Sequence, residues 1–476
     1  MRALTLVGML AFALVGLVGP AAAAEPPPGG TLTGAWQGIL TVPGGSLRLV
    51  FRFAPRTEGG HTATLDSPDQ GAQGIPCDSV ILEGRSLRVV VGVVRGHFAG
   101  TWPAGTDSIP GAWSQGGMSF PLTLRYAGAQ ADAPRRPQEP KPPFPYRAEE
   151  VAYRNPAGDT LAATLTLPAA GGPFPAVVLI TGSGPEDRDE SVFGHRPFLV
   201  LADHLTRRGI AVLRADDRGV GKSTGHFASA TGREFAADAA AGMDYLATRR
   251  EIRRDRIGLL GHSEGGIVAP MVAAGREDVA FVVLLAGTGM PGREILLAQS
   301  ALIGRKMGAS EEQIAQARAL NEKIYDAVAA GGDSAATAAR VRELLVGAAR
   351  SQGTAPADSA QLEAMVRVQV RQVMSPWFRS FLTHDPRPVL ARVRCPVLAL
   401  GGELDLQVPA AENLAGIEAA LAGGGNRHVT VKQIPGVNHL FQHATKGTPD
   451  EYSQIEETMA PEVLELIADW ILARAR

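Results

Sequence analysis

Gly261-His262-Ser263-Glu264-Gly265 constrains this 476-residue chain more than any other stretch. It follows a short apolar run, Arg256-Ile257-Gly258-Leu259-Leu260, and precedes a small-residue, helix-compatible run from Gly266 to Ala274. The pattern predicts a strand, a sharp turn and a helix in direct succession, with Ser263 on the turn. Glycine on both sides has a physical reason. A strand and a helix joined so tightly pass close to one another, and side chains at 261 and 265 would force them apart. The serine hydroxyl is then held at the end of a strand, near the start of a helix.

The surrounding sequence agrees with a strand-and-helix alternation. Strand candidates lie at 149–154, 160–166, 176–181, 210–214, 257–260, 280–285, 397–400 and 429–434. Helix-length segments such as Arg233–Thr248 and Ala411–Leu421 separate most of the later ones. Such alternation predicts a mostly parallel sheet of about eight strands, covered on both faces. The first two strands are joined by a hairpin across Asn155-Pro156-Ala157-Gly158-Asp159. From about 290 to 386 the alternation stops, and long stretches at helical spacing, such as Glu311–Ala329 and Ser359–Met374, take over. This block reads as a helical cap inserted between the sixth and seventh strands; a plain structural insertion is the simpler alternative. Caps shape pockets and exclude water.

Residues 25–130 read differently. Short runs such as Ser46–Phe53, Ser86–Val91 and Phe120–Tyr126 are separated by glycine, proline and aspartate turns, which predicts a small all-β domain, a sandwich or half-barrel. Trp36, Trp102 and Trp113 are read as core plugs, with a ligand groove as the alternative. A cell-wall or carbohydrate ligand is a conceivable partner for this domain, though no recognisable site marks one. Residues 131–146 carry Pro134, Pro137, Pro140, Pro142, Pro143 and Pro145 and predict a stiff, extended linker to a second domain at 147–476.

The first 24 residues have a basic start, an apolar run from Ala3 to Val18 and an alanine-rich end, the pattern of a secretory signal peptide cleaved near Ala24. The run is short for a membrane anchor, and no later run predicts a span. An exported protein, periplasmic or secreted, is expected. With 46 Lys and Arg against 48 Asp and Glu, bulk charge argues against nucleic acid as a partner. The two cysteines, Cys77 and Cys395, do not make a disulfide framework, and their pairing is left open. No C-x-x-C or H-E-x-x-H pattern marks a metal site, and no cofactor is expected. Gly219-Val220-Gly221-Lys222-Ser223-Thr224 looks like a phosphate loop, but the required upstream glycine is replaced by Asp216.

A serine hydroxyl needs a base before it is a useful nucleophile. After the strand at 397–400 comes Gly401-Gly402-Glu403-Leu404-Asp405, where an orienting carboxylate belongs; Asp405 is the choice and Glu403 the fallback. After the strand at 429–434 comes Pro435-Gly436-Val437-Asn438-His439, which makes His439 the expected base. His443 is its rival, expected within the next turn or helix. The chain order serine, acid, histidine matches these three strand ends. An oxyanion would need two aimed donors: the N–H of Glu264, and one from Thr181-Gly182-Ser183-Gly184-Pro185, with Ser183 preferred over Gly182.

Together, the run Thr181–Glu190, the run Asp216–Gly225, the elbow 261–265 and Asn438-His439-Leu440-Phe441-Gln442 resemble exported bacterial carboxylesterases of the α/β-hydrolase group, close to the serine aminopeptidase-like family. The resemblance covers about 147–476 and implies an α/β-hydrolase fold, often preceded by a β-rich domain. It implies hydrolysis of short-to-medium acyl esters, a small-molecule ester being the substrate. The charged loop Glu186–Glu190 departs from the simple apolar oxyanion loops of many lipases and is read as a brace. An aminopeptidase or dipeptidase activity is the alternative, and would need acidic residues facing the pocket; Glu311, Glu312, Glu322 and Glu363 of the cap are candidates. A non-catalytic binding protein is a third reading, opposed by the complete Ser263, Asp405 and His439 set.

Overall fold

The computed structural model describes residues 31–475 except 43–44, 57–58, 68–71, 104–105, 129–134 and 352–358. The expected signal peptide at 1–24 lies outside the described residues, as does part of the linker.

The first sheet has nine strands: β1 (Gly34–Val42), β2 (Gly45–Pro55), β3 (His61–Ser67), β4 (Ala72–Pro76), β5 (Ser79–Glu83), β6 (Ser86–Val91), β7 (Gly96–Thr101), β8 (Ser108–Gln115) and β9 (Met118–Gly128). Their order is β4-β3-β2-β1-β9-β8-β7-β6-β5, and the pairings are antiparallel. The sheet curls into a half-barrel around one aromatic core. Trp36, Phe51 and Phe98 are fully buried there. The indole N–H of Trp36 donates to the Leu32 carbonyl (2.8 Å), and its ring meets the edges of Trp102 and Tyr126. The tryptophans are therefore packing residues. Glycines inside the strands make room for them: a Cβ on Gly96 would lie 2.4 Å from the Trp113 ring, and one on Gly100 2.7 Å from Phe98.

The second sheet has eight strands: β10 (Tyr146–Arg154), β11 (Thr160–Pro168), β12 (Phe174–Ile180), β13 (Ala211–Ala215), β14 (Ile252–His262), β15 (Val282–Leu285), β16 (Val397–Gly402) and β17 (Val429–Ile434), in the order β10-β11-β13-β12-β14-β15-β16-β17. The β10–β11 and β11–β13 pairs are antiparallel, and the rest of the sheet is parallel. This is the α/β-hydrolase architecture expected from the alternation. Period-2 geometry explains why its strands read as continuous apolar runs. Val282 and Leu284 enter one core while Val283 and Leu285 enter the other; Val397 and Ala399 oppose Leu398 and Leu400 in the same way.

Helices α1 (Pro197–Arg207), α2 (Gly232–Thr248) and α3 (Gly265–Ala273) follow the early strands. The cap consists of α4 (Gly292–Lys306), α5 (Glu311–Ala329), α6 (Ser334–Ser351), α7 (Ser359–Val373) and α8 (Pro376–Thr383), inserted between β15 and β16. Short α9 (Arg387–Leu390), then α10 (Ala410–Gly423), α11 (Pro449–Tyr452) and α12 (Pro461–Ala475) complete the chain. Residues of α2, α3 and α10 cover one face of the sheet and those of α1 and α12 the other. The cap has its own core, around Tyr325, Val341, Leu345 and Phe378, and Ile267 of α3 joins it to the sheet. Helix α8 starts at Ser375, whose hydroxyl accepts the Phe378 N–H (3.1 Å), with Pro376 in the first turn, a position that needs no backbone donor.

The described part of the linker departs from a free spacer. The Arg136 guanidinium donates to the carbonyls of Gly194 (2.8 Å), Ser453 (2.9 Å) and Ile455 (2.8 Å), and Gln138 donates to that of Met459 (2.7 Å). Its backbone is not extended as expected: it turns at Pro137-Gln138, where the Glu139 N–H donates to the Arg136 carbonyl (3.2 Å), and these side chains dock it on the loops before α1 and α12.

Candidate active site

Ser263 follows β14 in a left-handed conformation, φ +52°, unusual for a residue with a side chain. Such backbone costs roughly 1–3 kcal/mol and persists only where surroundings impose it. Here the Ser263 N–H donates to the Leu285 carbonyl (2.8 Å), and its own carbonyl accepts from Gly266 (2.9 Å). The flanking glycines are obligatory. A Cβ on Gly261 would lie 1.9 Å from the Gly265 carbonyl oxygen, and one on Gly265 2.2 Å from that of Ile180. The close passage of strand and helix that the motif predicts is thus what excludes any other residue.

Asp405 and His439 stand beyond the ends of β16 and β17. His439 Nδ1 donates to Asp405 Oδ2 (2.8 Å), and Asp405 Oδ1 accepts the N–H groups of Gln407 and Val408 (both 2.8 Å). The pair is almost wholly buried, at 5% and 3% exposure. This bond places the proton on Nδ1 and leaves Nε2 with its lone pair. The loop around His439 is held by fully buried Asn438, whose side-chain oxygen accepts from Leu440 and Gln442 (both 3.0 Å). Ser263 and His439 line one cleft, about 670 Å³ with its open mouth, which Ser183, Gln407 and Phe381 also border. The alternatives lie apart. Glu403 is exposed and accepts the Gly436 N–H (2.8 Å). His443 bridges to Val437 in a loop outside any helix and pairs with exposed Glu462 and half-buried Glu457 (both 3.0 Å).

Both donors considered after β12 border the cleft, and Gly182 already gives its N–H to Glu190 Oε1 (2.9 Å). Most of the charged loop is a brace. Arg188 grips Asp216 through two parallel hydrogen bonds (both 2.8 Å), and Asp189 pairs with buried Arg214. Asp216 also accepts the Lys222 N–H (3.0 Å), so the phosphate-loop lookalike is an anchored turn. Glu186 differs: it borders the cleft, and its Oε2 has no hydrogen-bond partner among the described residues.

Three side chains matter that the motif reading passed over. His262 donates from Nδ1 to Glu190 Oε1 (2.8 Å) and from Nε2 to the His439 carbonyl (3.0 Å). Both ring nitrogens face acceptors, so the imidazolium satisfies both. Burial opposes that charge, but Glu190 outweighs it and raises the His262 pKa. The third is Trp377 of α8, whose indole donates to Glu264 Oε1 (2.6 Å) and ties the cap to the elbow. The candidate cap glutamates are placed otherwise: Glu311, Glu322 and Glu363 pair with arginines on the cap surface, and Glu312 accepts from Gln316. Local spacing signals none of these contacts; only the charged run at 186–190 and the two variable elbow positions hinted at them.

Burial pushes the Glu264 carboxyl up to about 7, partly offset by hydrogen bonds from Trp377 and Ser183. Asp217 rises to about 7 for the same first reason, and Glu186 well above the usual range through burial and the nearby Glu190 and Asp217. Below these raised values the carboxyls are neutral and do not oppose negative charge developing beside Ser263.

A sequence profile of the X-Pro dipeptidyl-peptidase (S15) family matches residues 157–431, more than half of the chain. The chain belongs to this family. The S15 match includes Ser263 and Asp405 and stops short of His439. Esterase EstD of Thermotoga maritima is similar over 310 residues at 26% identity, covering 65% of this chain and 64% of that protein. The chain thus spans under two thirds of that relative's length. Among solved structures, the Pyrococcus furiosus esterase Pf2001 is similar with a TM-score of 0.43 and 15% identity, covering 73% of this chain and 99% of the other. The α/β-hydrolase GrgF from Penicillium sp. sh18 gives 0.44 and 16%, over 69% and 99%.

Proposed function

We propose that this protein is a serine hydrolase that cleaves carboxyl esters of short-to-medium acyl chains. The observation that carries this reading is the convergence, in one cleft, of a serine on a strained elbow and a buried histidine whose tautomer is set by a carboxylate. Ser263 Oγ attacks the acyl carbon while His439 Nε2 takes its proton. Asp405 holds the ring and stabilises the imidazolium. The tetrahedral oxyanion is received by the N–H groups of Glu264 and Ser183. Collapse breaks the bond to the alcohol, which leaves with the proton from His439. Water then gives a proton to His439, attacks the acyl-enzyme and releases the acid, restoring Ser263. Similarity to esterase EstD supports an ester substrate. With the leader expected at 1–24, the enzyme acts after export.

A second reading is peptide cleavage, favoured by the match to the X-Pro dipeptidyl-peptidase family. Labelling with a fluorophosphonate probe, followed by turnover of p-nitrophenyl esters and of X-Pro anilides, separates the two. Labelling and ester turnover are expected, with Ser263→Ala abolishing the first and lowering kcat by roughly 10⁴–10⁶. Anilide turnover with negligible ester turnover transfers the assignment to peptidase, and absence of labelling removes the serine hydrolase reading.

A further inference from the structure

The cleft does not end blindly at the cap. A second chamber of about 430 Å³ lies behind it, bordered by Ile267 and Met271 of α3, Trp377 and Phe381 of α8, and Arg233 at the start of α2. The residues that border both spaces are Glu264 and Phe381. They form a wall with Trp377, whose indole bonds the Glu264 carboxyl at 2.6 Å and whose ring stacks on Phe381 at 5.6 Å between centroids, 23° from parallel. We propose that Trp377 is a specificity-determining residue: with Glu264 and Phe381 it closes off the second chamber and so limits the length of acyl chain the site accepts. The proposal rests on the serine esterase reading given above.

The direction of the chain follows from the chemistry. The leaving alcohol must face His439 Nε2 to receive its proton, so it occupies the end of the cleft bordered by Gln407, Val408 and Leu440. The acyl chain stays bonded to Ser263, and its carbonyl oxygen lies against the N–H of Glu264, which brings the chain to the wall built on that residue. Another cavity adjoins Glu264 behind Thr181 and Gly182, but Asp216, Asp217, Arg218 and Asp238 border it. Hydrocarbon entering there would strip water from charged groups. The second chamber has Arg233 and His384 at its border but, among the described residues, no carboxylate apart from the wall's own Glu264. Ile267, Met271, Trp377 and Phe381 offer a chain apolar surface there, and the wall stands between it and Ser263.

The test compares kcat/KM over p-nitrophenyl esters from acetate to dodecanoate. The wild type should favour short chains and fall steeply for long ones. Trp377→Ala should raise the ratio of decanoate to butyrate turnover at least tenfold, while Trp377→Phe, which keeps a ring in place, should shift it little. Phe381→Ala opens the same wall from its other side and serves if Trp377→Ala does not fold. A parallel series of acetate esters with lengthening alcohols should be unaffected. An unchanged acyl profile in a folded, active opening variant, or a shift confined to the alcohol series, overturns the wall and leaves the esterase reading standing. A wild type that neither labels with fluorophosphonate nor turns over any ester overturns both.

Discussion

The two sheets of this protein bury aromatic and aliphatic cores by opposite means. The nine-stranded sheet encloses one core on its inner side and lets glycines inside the strands admit large rings; Gly96 and Gly100 lie directly under Trp113 and Phe98. The eight-stranded sheet buries both faces of its inner strands, whose side chains alternate between two cores. It too lets a glycine admit a ring, Gly258 against Phe281, but at the elbow Gly261 and Gly265 admit backbone instead of side chains. The same residue type thus serves packing in both sheets and site geometry at the elbow. All the proposed chemistry stands beyond the ends of β12, β14, β16 and β17, at the edge of a sheet whose interior is saturated with packing. Substitutions should therefore separate into those that cost activity and those that cost stability.

The largest effect is expected at the paired acid and base. His439→Ala should lower kcat by roughly 10⁴–10⁶, and Asp405→Asn by roughly 10⁴, with little change in unfolding midpoint. His443→Ala and Glu403→Gln, four residues and two residues away in sequence, should stay within about threefold, because surface ion pairs and turn contacts contribute little. Steady-state ester hydrolysis checks all four, and loss of turnover at His443 but not at His439 would reverse the assignment of the base.

The converse holds in the first sheet. Trp36→Ala removes a fully buried ring and should cost about 3–5 kcal/mol of stability, read by urea unfolding, with kcat/KM unchanged. A parallel loss of kcat/KM in the folded variant would mean that the two regions are coupled, with docked Arg136 and Gln138 the obvious connection.

The smallest effect tests the boundary between packing and chemistry. Glu264 has an ordinary value of 4.5 and is raised to about 7 by burial. A raised folded-state value means that its contribution to stability is fully present below about pH 4.5 and is lost as pH rises through about 7. Glu264→Gln keeps the acceptor for Trp377 and removes the titration. The variant should gain on the wild type between about pH 4.5 and 7, by on the order of 1–3 kcal/mol, and hold a constant difference above that. A difference independent of pH would show that the carboxyl is ionised throughout.

Legibility differed between the regions for a physical reason. The inner strands of the second sheet, β12 to β16, fall on apolar runs, since burial on both faces demands one, and Glu311–Ala329 was readable to the residue because Ser310 and Gln313 cap it locally. In the first sheet, β2, β6 and β9 were visible, whereas β7 (GHFAGT) and β8 (SIPGAWSQ) carry too much glycine and proline to show an alternation. Their strand character comes from pairing and from the rings lying over them. His443 was expected in a turn or helix and instead bridges Val437, a pairing set by the fully buried Asn438 and Gln442 network beneath it.

By itself the sequence determined the alternation, the cap and its place, the elbow with its two glycines, and the chain order of Ser263, Asp405 and His439. Each depends on neighbours within a few residues or on a period, which a linear reading can register. Tertiary structure alone decided that Asp405 and not Glu403 reaches His439, that Glu190 is drawn across 72 residues to hydrogen-bond His262, and that Trp377 bonds a carboxyl 113 residues away. Those contacts join loops from different strands and from the cap. They are created by the crossovers of the sheet and leave no periodic trace in the chain.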